Sequence, residues 1–127
     1  MARKKQDENL FEQAFEKFEK ATQINPEYAT AFDGWGIALS CLAKIKQDEN
    51  LFEQALEKWE KVYEINPKKL YNLSCGYALL GKKEQALHYL EESLKNKTIE
   101  IDFVINDDDW KNYLADKDFI DLIDKYR

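Results

Sequence analysis

The chain has 127 residues, 44% of them hydrophobic and 35% charged, and its 19 Lys and Arg against 25 Asp and Glu give a net charge of −6. This length is typical of one domain, the acidic balance argues against a protein that binds nucleic acid, and no apolar run approaches the roughly 20 residues that span a bilayer. Four glycines and two prolines are too few for a turn-rich all-β chain, so we expect a helical protein. The first residues do not form a secretory signal and two cysteines do not make a disulfide framework, so we expect it in the cytoplasm.

The first predicted element is an amphipathic helix in residues 2–26. Its apolar residues recur every three or four positions, which is the period of one helix face. Asp7 precedes the apolar run and is predicted to cap the helix start. Asn25 and Pro26 are predicted to end the helix, because the residue before proline avoids the α region. The apolar stripe consists of Phe11, Ala14, Phe15, Phe18, Ala21 and Ile24.

A second copy of this element follows 41 residues later. Residues 2–26 and 43–67 are identical at 18 of 25 aligned positions, so the chain contains an internal duplication. In the second copy Asp48 is the predicted cap and Pro67 the predicted stop. Its stripe consists of Phe52, Ala55, Leu56, Trp59, Val62 and Ile65.

A different helix is predicted between the two copies, over residues 27–46. A glycine inside a helix costs about 1 kcal/mol relative to alanine, so we expect Gly36, together with the small residue Ala38, where two helix backbones cross closely. After Pro67 the pattern predicts a helix over 68–80, a stop at Gly81 and a helix over 83–96. The predicted buried face of the 27–46 helix consists of Phe32, Trp35, Gly36, Ala38, Leu39, Leu42 and Ile45.

The C-terminal segment, residues 99–127, is the most acidic part of the chain, with nine acidic and four basic residues. The apolar spacing from Trp110 to Leu114 and from Phe119 to Ile123 predicts two short amphipathic helices. The aspartates at 107–109 and Asp116 are expected at the starts of these helices, where the helix dipole favours carboxylates. We interpret the segment as a cap that covers the last apolar face.

The alternation of helix pairs resembles the tetratricopeptide repeat. Phe32, Trp35, Gly36, Ala38 and Leu39 match the first helix of such a repeat, and Ala55, Trp59, Val62 and Pro67 match the second. The resemblance implies an all-α fold, an α-α superhelix in which antiparallel helical hairpins stack as a solenoid. Within a single domain, residues 1–26 would form a half repeat, 27–67 a long repeat, 68–98 a further repeat and 99–127 the C-terminal cap.

The spacing departs from that family, because its repeat has about 34 residues and the two prolines here are 41 residues apart. The additional seven residues are close to two helical turns. We therefore predict one extra turn on each helix, with residues 47–50 forming the connection.

The resemblance also implies a non-enzymatic interaction module, a scaffold or adaptor that binds a peptide or a partner helix in a concave groove. The partner is a protein whose identity the sequence does not give. The groove positions carried over from the family are Asp33, Ile37, Ser40, Cys41, Lys68, Tyr71, Asn72 and Cys75.

An alternative function is self-assembly. Residues 2–26 match only the second half of a repeat, so one side of Phe11, Phe15 and Phe18 would be uncovered. Either the chain derives from a longer array of repeats, or a homo-oligomer forms through this face.

We predict no catalytic, cofactor-binding or metal-binding residues. The single histidine, His88, is expected at the edge of a helix in solvent, and one histidine cannot build the histidine-rich ligand sets of most catalytic zinc sites. Cys41 and Cys75 have no CxxC partner and are expected to be packing residues. The run of aspartates at 107–109 lacks the glycine and glutamate of a calcium loop, so helix capping is its expected role.

Overall fold

The computed structural model describes the backbone of residues 2–127 and the side chains from Glu8 onward. Every regular element in this part of the chain is helical, which confirms the all-α class. The chain divides into two compact units, residues 1–66 and residues 67–127, and neighbouring helices pack against each other within each unit. The first unit holds α1 (Ala2–Ile24), α2 (Ala29–Lys46) and α3 (Glu49–Ile65). The second holds α4 (Tyr71–Leu79), α5 (Lys83–Lys95), α6 (Ile101–Asn106), a 3₁₀ helix (Asp108–Tyr113) and α7 (Lys117–Tyr126).

The connection between α2 and α3 is as tight as the repeat length predicts. Gln47 takes a left-handed conformation, with φ of 52°, and ends α2. Asp48 then caps α3, and its side chain accepts a hydrogen bond from the backbone N–H of Asn50 at 2.9 Å. The helices α2 and α3, of 18 and 17 residues, are therefore joined by a short connection at residues 47–48, within the predicted range 47–50.

The helix ends in the first unit agree with the proline signals but not with the first predicted cap. α1 ends at Ile24 and α3 at Ile65, each just before an Asn-Pro pair. However, α1 begins at Ala2, so Asp7 lies inside the helix and the prediction that it caps the helix start is wrong. The side chain of Asp7 lies outside the described residues.

In the first unit α2 packs between α1 and α3. A Cβ atom built on Gly34 would lie 2.9 Å from the Phe18 ring of α1, and one built on Gly36 would lie 2.5 Å from Nε1 of Trp59 on α3. Gly36 therefore makes room for the indole ring of Trp59. Two further expectations are wrong, because Ile24 and Ile45 are 86% and 47% exposed.

The second unit is a hairpin of α4 and α5 covered by the C-terminal segment. Gly81, with φ of +73°, lies in the turn between the two helices, where the sequence predicted the stop. Asp107 and Asp116 accept hydrogen bonds from backbone N–H groups at the starts of the 3₁₀ helix and α7, which confirms their capping role. The helix α6 was not predicted. The core shared by hairpin and C-terminal segment consists of Cys75, Ala78, Ala86, Leu90, Leu94, Val104, Trp110, Tyr113, Phe119 and Ile123.

Among the described residues, none of the helices combines the length and the apolar character that crossing a bilayer requires.

Candidate functional site

The eight predicted groove residues fall into two sets, one in each compact unit. Four of them, Asp33, Ile37, Ser40 and Cys41, lie on α2. The other four, Lys68, Tyr71, Asn72 and Cys75, lie at the start of the second unit, on α4 and the residues just before it.

The residues on α2 form an exposed strip, which we call the α2 strip and define as Thr30, Asp33, Ile37 and Cys41. At 100° per residue these positions point within a narrow sector of the helix. Ile37 is 45% exposed, Thr30 and Cys41 are exposed, and Asp33 is half-buried. The strip therefore combines an apolar centre with polar groups at its edges.

Ser40 does not belong to this surface. Its side chain is only 5% exposed, because it points between the directions of Asp33 and Gly36, where the strip borders the packed side of α2. We therefore remove Ser40 from the set of residues that could contact a partner.

In the second unit Tyr71 is held by the C-terminal segment of the same chain. Its hydroxyl donates a hydrogen bond to Oδ2 of Asp107 at 2.7 Å and accepts one from Nε1 of Trp110 at 3.1 Å. The ring of Phe103 meets the Tyr71 ring edge-on, with 5.7 Å between centroids. The tyrosine that the family resemblance assigns to a groove is thus a contact of the chain's own cap.

Cys75 is also engaged inside the second unit. It is 1% exposed, and its Sγ lies 3.9 Å from Oδ2 of Asp107. It therefore presents almost no surface to solvent. Lys68 is exposed and Asn72 half-buried, and both make interactions within the structure.

The structure brings Cys75, Asp107 and Asp109 together, with their ligand atoms within 4.8 Å of one another. Asp107 already accepts hydrogen bonds from the Tyr71 hydroxyl and from the backbone N–H of Asp109. These contacts explain the cluster as a polar network that joins α4 to the 3₁₀ helix.

The electrostatics of the cluster keep its tyrosine and its thiol neutral. Burial raises the pKa of the Tyr71 hydroxyl above its ordinary value, and the neighbouring Cys75 and Asp107 raise it further. Burial likewise raises the pKa of the Cys75 thiol, assisted by the negative charges of Asp109 and Asp107. Since the thiolate is the reactive form of cysteine, this environment is that of a structural thiol.

The C-terminal helix α7 is anchored to α5 by charged groups. Glu91 accepts hydrogen bonds from Nζ of Lys125 at 2.8 Å and from the Tyr126 hydroxyl at 2.9 Å. These bonds lower the pKa of Glu91. At the other end of α7, Lys83 contacts both Asp116 and Asp118 at 2.8 Å, and the bond from Lys83 lowers the pKa of Asp116.

The predicted self-association residues Phe11, Phe15 and Phe18 are all half-buried. Phe18 lies against Gly34 of α2, and the Phe11 and Phe15 rings stack with 6.3 Å between centroids. Among the side chains of α1 that the structure describes, the large apolar ones that are exposed are Leu10 and Ile24, at 62% and 86%.

The remaining candidate residues are placed as follows. His88 is exposed, as predicted, and its Nε2 lies 3.3 Å from a carboxylate oxygen of Glu92. The two cysteines differ: Cys75 is buried, as expected of a packing residue, whereas Cys41 is exposed and that expectation is wrong for it.

Sequence reasoning missed the contacts that Asp107 makes to α4. Capping was predicted from the position of the residue before a short helix, but Tyr71 and Cys75 lie 36 and 32 residues earlier in the chain. Helical periodicity describes neighbours three or four residues apart, so it carries no signal for such a pair.

A scan against protein-family models finds no match for this sequence, and a search of curated proteins finds none either.

Proposed function

We propose that this protein is a non-enzymatic interaction module of the tetratricopeptide type, a stacked helical array that binds a segment of a partner protein. The single observation that supports this proposal is the α2 strip, an exposed and partly apolar surface in the middle of a helix that is otherwise packed on both sides. A rigid helix that presents such a strip is the usual support for peptide or helix recognition.

The composition of the strip indicates the kind of partner. Ile37 supplies an apolar centre at 45% exposure, with Cys41 one turn away, while Thr30 and Asp33 supply hydrogen-bonding groups. Interfaces commonly have this arrangement of an apolar core and a polar rim. We therefore expect an amphipathic segment of another protein, and not a free carboxylate tail, to bind here.

The groove positions of the second unit are less suited to bind a partner than the α2 strip. Its matching residues, Tyr71 and Cys75, are already in contact with Asp107 of the C-terminal segment. A partner would have to displace those contacts, whereas Ile37 and Cys41 of the α2 strip are exposed.

The proposal can be tested with a photo-crosslinker attached to Cys41. Because Cys75 is 1% exposed and Cys41 is exposed, a maleimide reagent should label the folded chain at Cys41 alone. We expect the labelled full chain, in an extract of the cells that make it, to yield a discrete adduct identified by mass spectrometry. Ile37→Lys should abolish that adduct, because it places a charge in the apolar centre of the strip.

A matched control moves the same reagent to another face of the first unit. The variant Cys41→Ser with Glu64→Cys places the thiol on α3, where the Glu64 side chain is 69% exposed. The same adducts from both positions, or an adduct that survives Ile37→Lys, would show that the α2 strip is not a recognition surface.

A further inference from the structure

The duplicated helices α1 and α3 carry an aligned strip of five residues that is identical at four positions, and this strip has a different environment in each copy. In α1 it consists of Leu10, Ala14, Lys17, Ala21 and Ile24, which we call the α1 strip. In α3 the aligned residues are Leu51, Ala55, Lys58, Val62 and Ile65. The spacing of four, three, four and three residues places each set along one line of its helix, as in a coiled-coil seam.

In α3 this line faces α2. Nζ of Lys58 lies 3.9 Å above the ring of Trp35, and the indole of Trp59 lies against Gly36. At 100° per residue Ala55 and Val62 point between the directions of Lys58 and Trp59, and they are 0% and 2% exposed. The helix α2 therefore covers the middle of this line, with an aromatic ring under the lysine and a small residue beside it, while Leu51 and Ile65 at the two ends are half-buried.

In α1 the same line is open. Leu10 and Ile24 are 62% and 86% exposed, Lys17 is exposed, and the two alanines are half-buried. The helix α2 touches α1 beside this line, where Phe18, the counterpart of Trp59, meets Gly34, and where Glu8 lies 3.8 Å from Lys46. The α1 strip is thus continuous with the α1–α2 interface and extends beyond it.

We propose that the α1 strip docks an amphipathic helix of a partner protein, and that this helix places an aromatic ring opposite Lys17. Leu10 and Ile24 would pack against its apolar residues, and Lys17 would make the cation–π contact that Lys58 makes with Trp35. This site lies on a different helix from the α2 strip and does not depend on the proposed function of that strip.

A second copy of this chain fits the α1 strip less well than such a partner. In an antiparallel pair of α1 helices Leu10 would meet Ile24 of the other copy, but Lys17 would meet the same lysine. An in-register parallel pair would also bring the two lysines together. Like charges that face each other across a helix pair oppose association, whereas an aromatic ring at that position attracts the ammonium group.

The test uses a fluorescent synthetic peptide with the sequence of residues 27–47, because its α2 sequence contains the aromatic and small residues that cover α3. We expect saturable binding to the full chain, measured by fluorescence anisotropy. Removing the apolar ends of the strip with Leu10→Ser and Ile24→Ser together should weaken binding by about tenfold or more. A peptide with Trp35→Ala should bind the unchanged chain with an affinity lower by a comparable factor. The control pair Glu12→Ser and Glu19→Ser, on the opposite side of α1, should leave the affinity unchanged.

Three results would overturn the proposal. The first is no binding of the peptide at any concentration at which it is soluble. The second is equal binding to the Leu10→Ser, Ile24→Ser variant, which would mean that the peptide replaces α2 inside the unit. The third is a concentration-dependent doubling of mass that this variant abolishes, which would identify a second copy as the occupant.

Discussion

Replacing Gly36 with alanine is expected to lower the free energy of unfolding by about 2 kcal/mol, although alanine is the better helix former by about 1 kcal/mol. The added Cβ would lie 2.5 Å from Nε1 of Trp59 and 2.8 Å from Cδ1 and Cε2 of the same ring. Trp59 is only 3% exposed, so the indole cannot swing into solvent to relieve the overlap. Urea denaturation followed by circular dichroism measures the loss.

Two comparison variants isolate the contact between Gly36 and Trp59. Gly34→Ala puts a Cβ 2.9 Å from the Phe18 ring, but that ring is half-buried and can shift, so its effect should stay within about 1 kcal/mol. Adding Trp59→Phe to Gly36→Ala should recover stability, since the indole N–H makes no hydrogen bond among the described residues. A Gly36→Ala chain as stable as the parent would contradict the packing of α2 against α3.

Replacing Trp110 with alanine is expected to cost about 3–5 kcal/mol, the usual range for a fully buried tryptophan. The ring is 0% exposed and stacks on Phe119 with 5.6 Å between centroids, while Tyr113 meets it edge-on at 5.8 Å. Its Nε1 also donates to the Tyr71 hydroxyl. We therefore expect the C-terminal segment to lose its attachment to α4, which hydrogen exchange would detect as faster exchange in residues 101–126.

The conservative variant Trp110→Phe tests the hydrogen bond separately from the packing. It keeps an aromatic ring but removes the donor to Tyr71, so we expect a loss of about 1–2 kcal/mol. Leu114→Ala is the surface control, because that side chain is 48% exposed and should change stability little. If Trp110→Ala denatured at the same urea concentration as the parent, the assigned attachment of the C-terminal segment would be wrong.

Much of the fold could be predicted because the chain repeats itself. The duplication places Ala55 and Trp59 in register with Ala14 and Phe18, and the Asn-Pro pairs mark where α1 and α3 end. The connection at Gln47 and Asp48 followed from the repeat length, because seven residues fit two extra helical turns. These features are local or periodic, and such features are what a sequence pattern encodes most directly.

The features that were not predicted depend on contacts between distant residues or on the environment of a single side chain. Asp107 was recognised as a cap, but its hydrogen bond to Tyr71 joins residues 36 positions apart. The helical period alone did not distinguish the exposed Ile24 from the half-buried Ile65, because the two residues are identical and occupy the same place in the repeat. Only the neighbours of each helix decide which copy is covered.

The same distinction limits the prediction of the site. The family resemblance placed Ile37, Cys41, Tyr71 and Cys75 in one groove. In the structure Ile37 and Cys41 are exposed, whereas Tyr71 and Cys75 are in contact with the C-terminal segment. A family resemblance predicts which helix positions correspond to a groove. It does not predict that the C-terminal segment of this chain covers Tyr71 and Cys75.

Hydroxyl-radical footprinting of the folded chain tests most directly the claim that one strip is covered in α3 and open in α1. Leu10 and Leu51 are aligned leucines, and Ile24 and Ile65 are aligned isoleucines. The intrinsic reactivity of the side chain is therefore the same within each pair, and a difference in oxidation rate reports exposure. Leu10 and Ile24 are exposed and their counterparts are half-buried, so we predict several-fold faster oxidation in α1 than in α3. Equal oxidation of the two members of each pair would contradict the account.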